Sequence, residues 1–198
     1  MAYDTDVDPY LDPATGILRN SLGITDADDL AKAEASLTAV AIASLAEEPI
    51  PGNFDLAHLQ AVNKALFDPI YPWAGEIRRV EMTKGTTRFA SVKFLSQAAT
   101  RVFDNLRAEN MLNDLDSKTY INRLAHYYSE INILHLFREG NGRTQRAFFT
   151  LLAAKSGRHI AWEHMDSAKN LAASIKAYNG DESDLVKLLK VLVQPAKK

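Results

Sequence analysis

Apolar positions along this chain recur mostly at intervals of three and four, the spacing that puts side chains on one face of an α-helix. The first such run spans Asp26 to Glu48, with Leu30, Leu37, Val40 and Leu45 marking a core-facing stripe. Thr25 stands where a cap is wanted, acidic residues fill the first turn, and Pro49 enforces the stop. Asp55 is placed to cap a second helix that reaches about Phe67 and ends at Asp68-Pro69. An aromatic, turn-rich link follows from Ile70 to Gly75. The period then changes. Ile77, Val80 and Met82, then Lys84-Gly85-Thr86-Thr87, then Phe89, predict a short β-hairpin with Gly85 near its tip. A lone two-stranded hairpin is marginal, so it either packs down or uses its exposed edge.

Helical spacing returns from Ser91 to about Leu112. It resumes after Asp116-Ser117, where Tyr120, Leu124, Tyr127, Ile131 and Leu134 step by three or four. Further helices are predicted over 142–156, with Gly157 suited to a left-handed end, then 167–178 and 182–193. Pro9, Pro13 and Gly16 make residues 1–24 an irregular arm. The expectation is a mainly α fold, a helical bundle with one small β-hairpin, as a single domain over 25–198 behind that arm.

Composition narrows the chemistry. The 198 residues are 46% hydrophobic and 24% charged, an ordinary globular balance for one domain. A chain of this size buries roughly 70% of its unfolded surface and needs no staple. The absence of Cys excludes disulfide frameworks, thiolate zinc sites and cysteine nucleophiles. A net charge of -2 gives no global basic field toward nucleic acid or anionic lipid. The N-terminus lacks the basic and apolar regions of a signal peptide. The most apolar stretch, Leu37 to Ala46, is about half the ~20 residues a membrane span needs. The expectation is a cytoplasmic protein with no nucleic-acid or membrane partner, or a secreted effector if the chain is part of a longer one.

The segment His135-Leu136-Phe137-Arg138-Glu139-Gly140-Asn141-Gly142-Arg143-Thr144-Gln145-Arg146 concentrates the candidate chemistry between two helices. Gly140 and Gly142 let the backbone approach a ligand closely. Amides at the start of the following helix form an anion site. Arg143 and Arg146 lie three apart and share a face, and two guanidiniums over such a site suit a di- or triphosphate. Glu139 beside phosphates would repel them unless a cation such as Mg²⁺ lies between. His135 is the nearby group able to act as a neutral base around pH 7. Together these residues imply nucleotide chemistry.

The segment resembles the Fic family motif, in which His and Phe precede an acidic residue, Gly-Asn-Gly-Arg and a second Arg. The resemblance extends to Pro9-Tyr10, Gly16-Ile17-Leu18, Pro51 to Leu56, Tyr71 to Arg78, and Ala173-Ser174-Ile175. It implies the Fic fold and AMPylation, the transfer of AMP from ATP to a hydroxyl of a protein target. By position, His135 would deprotonate that hydroxyl and Glu139 would hold Mg²⁺. Gly140, Asn141 and Gly142 would cradle the phosphates, Arg143 and Arg146 would grip the outer ones, and Phe137 would anchor the loop. Arg138, Thr83 and Lys84 would complete the nucleotide-binding set. Met82, Thr83, Lys84, Gly85, Thr86, Thr87, Arg88 and Phe89 would form a flap that docks the target as an added strand.

Two departures qualify the match. Leu136 replaces a common Pro, which predicts a less rigid loop. Gly142 stands where death-on-curing phosphotransferases carry Lys, which favours nucleotidyl transfer. Ser44 and Glu48 have the spacing of an internal inhibitory motif, but they end an ordinary helix. The resemblance therefore implies a toxin silenced in trans by a small antitoxin whose glutamate faces Arg146. It also suggests the ATPase subunit of a type II topoisomerase as target. The alternatives are a transferase with another nucleotide donor and a non-catalytic module that captures a partner strand. Elsewhere, His126 reads as structural, Trp73 and Trp162 as core aromatics, and Arg101 and Arg107 as a solvated face. Arg78, Arg79 and Lys84 read as solvent-facing or as tuning target docking.

Overall fold

The carboxylates of Asp26, Asp55, Asp116 and Asp166 each accept backbone N–H groups that a helix start leaves unpaired. In the computed structural model, which describes residues 8–85 and 87–196, these caps open α1 (Ala27–Glu47), α2 (Leu56–Phe67), α4 (Ser117–Leu134) and α6 (Ser167–Tyr178). The remaining helices are α3 (Val92–Ala108), α5 (Asn141–Lys155) and α7 (Ser183–Leu192). The fold is mainly α, as expected. Helix α4 runs through the middle and packs on α3, α5, α6 and α7, while α2 joins α5 to α1. Among the described residues no helix is long and apolar enough to cross a membrane.

Two apolar clusters flank the His135–Arg146 segment. One gathers Phe103, Tyr127, Leu136, Phe137, Phe148 and Leu189 among others, from α3, α4, α5, α7 and the loop itself. The other joins α1, α2 and the aromatic link through Leu30, Leu45, Val62, Phe67 and Tyr71. The arm from Asp8 onward lies against this second cluster. Tyr10 is buried, its ring meets Trp73 edge-on at 5.0 Å, and its hydroxyl accepts the Arg79 N–H. Residues 1–7 of the arm lie outside the described residues.

Several local expectations are corrected. Asp26, not Thr25, caps α1, because its carboxylate reaches the N–H groups of both Asp28 and Asp29. Val40 is 66% exposed and Leu37 lies at the edge of exposure. The inward stripe of α1 runs instead through Leu30, Glu34, Thr38 and Leu45, and Val40 falls roughly a third of a turn away from it. The hairpin is shorter than predicted: β1 (Thr83–Lys84) pairs antiparallel with β2 (Thr87–Arg88). The helix expected to reach Leu112 stops at Ala108 and passes into a 3₁₀ turn, Asn110–Leu112, in which Met111 has φ 50°. A second strand pair was not foreseen: β3 (Arg158–Ile160) runs antiparallel to β4 (Val193–Pro195) and closes the far end of the bundle.

Candidate active site

Helix α4 ends at Leu134, and His135 follows in the left-handed region at φ 46°, ψ 58°. A non-glycine residue is strained there by about 1–3 kcal/mol and stays only when its surroundings hold it. Arg78 does much of the holding. Its side chain is buried, and its Nε donates to the His135 carbonyl at 2.7 Å. Nη1 donates to the Val80 carbonyl, and Nη2 to those of Ala90 and Leu134. One guanidinium thus serves the unpaired carbonyls at the end of α4 and both stems of the hairpin. The Arg78 and Ala90 N–H groups add bonds to the carbonyls of Leu136 and Ile133. Arg78 is therefore an internal clamp and not a solvent-facing charge, whereas Arg79 is exposed and pairs with Glu76.

Below the histidine, packing and side-chain bonds fix the loop. Leu136 and Phe137 are 1% and 2% exposed, each contributing roughly 1.5–3 kcal/mol by burial. Asn141 bonds Phe137 in both directions: its Oδ1 accepts the Phe137 N–H and its Nδ2 donates to the Phe137 carbonyl. Buried Asn63 on α2 accepts the Gly75 N–H and donates to Thr144 Oγ1 and, at 3.4 Å, to the Glu139 carbonyl. The aromatic link, α2 and the start of α5 are tied together through that one amide.

The His135 ring is half-buried and lies flat on Phe89, with centroids 3.7 Å apart. Its Nδ1 is buried without a well-formed hydrogen bond. Burial pushes its pKa down to about 4; the Asn132 carbonyl opposes this, and the Arg78 and Lys84 charges reinforce it. The imidazole is neutral at pH 7, the state a base requires.

Gly140 has φ 79°, and a Cβ there would lie 2.1 Å from the Phe67 ring, so this close approach needs glycine. It turns the chain so that the N-terminus of α5 faces the cleft, with its free amides and positive dipole end. The two arginines of α5 differ in their surroundings. Arg143 donates to Glu34 at 2.5 Å, to Glu139 at 3.3 Å and to Thr38 Oγ1 at 3.2 Å, and lies over the Phe67 ring. Arg146 forms no ion pair with a carboxylate among the described residues. Arg138 is engaged by Asp8 of the arm, at 2.8 Å from Nη2. Glu139 Oε1 also accepts the Gly140 N–H.

Two adjoining clefts meet at His135. One, of about 320 Å³, is lined by Met82, Lys84, Glu139, Gly140, Arg143 and Arg146, with Arg138, Asn141 and Gly142. The other, of about 390 Å³, lies between the hairpin and α6 and is lined by Thr87, Phe89, Tyr128, Asn132, Asn170 and Leu171 among others. Lys84, His135, Gly142 and Arg146 border both. Thr83 and Arg88 border neither and lie exposed on the strands. Gly85 is at the exposed turn, and Thr86 lies outside the described residues. A polyphosphate suits the first cleft and a nucleoside the second.

The segment's own residues converge as the sequence implied, but their supports were not legible there. Glu34 and Asn170 carry no motif of their own, and Tyr71 belongs to a matching segment that gave no hint of its bond to Glu34. The Ala173-Ser174-Ile175 match was the one signal that α6 borders the site. His126 bonds Glu182 across α4 and α7, away from the clefts. Arg107 pairs with Asp104 on an exposed face.

A helical domain that presents a neutral histidine beside a helix N-terminus and a nucleotide-sized cleft defines the class. The Fic/DOC family model matches residues 53–153. The chain is 38% identical over 187 residues to the protein adenylyltransferase VbhT of Bartonella schoenbuchensis, covering 94% of this chain and 39% of that protein. It is also 38% identical over 156 residues to a Salmonella typhimurium protein named a probable protein adenylyltransferase Fic, covering 79% and 77%. Among solved structures, the N-terminal Fic domain of a VirB-translocated Bep effector from Bartonella quintana, with bound ADP, matches at a TM-score of 0.88. That match is 26% identical and covers 95% of both chains. The chain belongs to the Fic/DOC family.

Proposed function

We propose that the His135–Arg146 loop moves AMP from ATP to a hydroxyl of a target protein and releases pyrophosphate. The chain is a protein adenylyltransferase. The observation that carries this reading is a neutral His135 standing where the two clefts meet. ATP would place its nucleoside between the hairpin and α6, and its phosphates on the α5 N-terminus beside Arg146. The target oxygen attacks the α-phosphorus, the bond from that phosphorus to the bridging oxygen breaks, and the hydroxyl proton passes to His135. With Nδ1 buried, Nε2 is the nitrogen left to receive it. Catalysis then rests on positioning and on charges fixed before the reaction, with general-base help worth about 10²–10⁴ in rate.

Glu139 is the residue that would hold Mg²⁺. Oε1 takes both of its hydrogen bonds, and among the described residues Oε2 takes none. One free carboxylate oxygen fits an ion that keeps its waters and shares phosphate oxygens. When bound, Mg²⁺ would neutralise phosphate charge.

The finer assignments follow from the same reading. The exposed strands of the hairpin would pair with an extended target segment, and a bacterial Fic toxin would aim at a type II topoisomerase ATPase subunit in the cytoplasm. A small antitoxin would supply a glutamate to Arg146, the arginine of α5 without a carboxylate partner among the described residues.

The test is to incubate the protein with Mg²⁺ and bacterial lysate, using ATP labelled at the α- or the γ-phosphate in parallel. Label should reach protein from the α position alone. Transfer from the γ position alone, or from neither, overturns the proposal.

A further inference from the structure

Glu139 and Arg143 lie four apart across the start of α5, the separation at which a carboxylate and a guanidinium pair on their own. A full pairing would neutralise Glu139. The structure shows a divided arrangement instead. Arg143 Nη2 lies 2.5 Å from Glu34 Oε1 and 3.3 Å from Glu139 Oε1. The nearer partner is also the more buried, with its side chain 13% exposed against 35% for Glu139, so the shorter pair is less screened by water.

Glu34 is itself held. Its Oε2 accepts the Tyr71 hydroxyl, and burial together with that bond keeps Tyr71 protonated far above the usual tyrosine range. Thr38, one turn on, donates its hydroxyl to the Glu34 carbonyl and accepts Nη1 of Arg143. Phe67 supplies a ring face 4.8 Å beneath the guanidinium. Two helices and the aromatic link thus converge on one side chain, and Glu34 and Thr38 lie outside the segment that the family model matches.

We propose that Glu34 is a positioning residue: by drawing Arg143 onto α1 it leaves the Glu139 carboxylate open to a divalent cation. The inference rests on the reading of Glu139 as the Mg²⁺-holding group. Outer partners of this kind typically change metal affinity by about 10–100-fold.

The experiment is calorimetric titration of ATP, with and without Mg²⁺, into wild type and Glu34→Gln, after thermal melts confirm folding. Mg²⁺ should tighten ATP binding in wild type, and this gain should fall by about tenfold in Glu34→Gln. The double variant Glu34→Gln with Arg143→Gln should regain the gain, since no guanidinium at position 143 is left to neutralise Glu139; a merely structural role for Glu34 predicts no such rescue. If Glu34→Gln does not fold, Tyr71→Phe carries the same test through the hydrogen bond it removes. An undiminished Mg²⁺ gain in the folded variant, or a reduced one that the double variant fails to restore, overturns the proposal. Mg²⁺-independent binding in wild type overturns the metal reading and this inference with it.

Discussion

The Phe89 ring lies face to face with the His135 imidazole, at 3.7 Å between centroids and 9° between planes. Phe89 was expected to serve the docking flap, yet it is 7% exposed and directed inward at the histidine. The contact restrains a ring whose backbone is already strained, because the imidazole cannot turn without meeting the Phe89 face. Phe89→Leu should lower kcat for AMP transfer, since the looser ring holds the base less well in the attacking geometry. KM for ATP should change by no more than about twofold, since an apolar side chain still lines the cleft. Steady-state kinetics would separate the two, and a change confined to KM would count against a positioning role.

The depressed pKa of His135 has a consequence for stability. In the unfolded chain this group titrates near 6.5, and in the folded chain at about 4. Between these values the unfolded state binds a proton that the folded state does not, so stability rises with pH. The contribution is complete above pH 6.5 and is lost as pH falls through 4. Its size is about 3 kcal/mol. Urea unfolding at pH 7 and pH 4 should show wild type losing about that much more than His135→Gln. Equal losses would mean the histidine is not held neutral by the fold.

Gly140 and Gly142 should respond differently to the same change. A methyl at Gly140 meets the Phe67 ring at 2.1 Å and sits at φ 79°. Overpacking and backbone strain together should cost about 3 kcal/mol. A methyl at Gly142 meets only Arg146 Nη1, at 3.4 Å, on a residue already helical, where Ala loses less backbone entropy than Gly. Gly142→Ala should therefore keep or raise the melting temperature while weakening ATP binding, because the methyl enters the phosphate cleft. Thermal melts and calorimetry on the pair would check both halves.

What could be read from the sequence was what is contiguous. The helices after Asp55 and Asp116 begin where a cap or the periodicity placed them, since both signals are local. The base, the glycine turn and the two arginines could be named together because they occupy twelve successive positions, His135 to Arg146. The supports were not legible because each acts through packing between distant segments. Glu34 sits in mid-helix, where a charged residue ordinarily faces water, and the apolar count of α1 therefore selected Leu37 and Val40 for the inward face. Arg78 read as solvent-facing or as tuning target docking, and only the meeting of α4 with the hairpin stems buries it. The β3–β4 pair joins residues more than thirty positions apart, with no turn to announce it.

The measurement that bears most directly on the account is AMP transfer by His135→Ala beside wild type, with ATP binding measured on the same preparations. The histidine is assigned proton removal, while the helix N-terminus and Arg146 are assigned phosphate binding. Transfer should therefore fall by about 10²–10⁴ with ATP affinity nearly unchanged. Transfer at the wild-type rate would contradict the account.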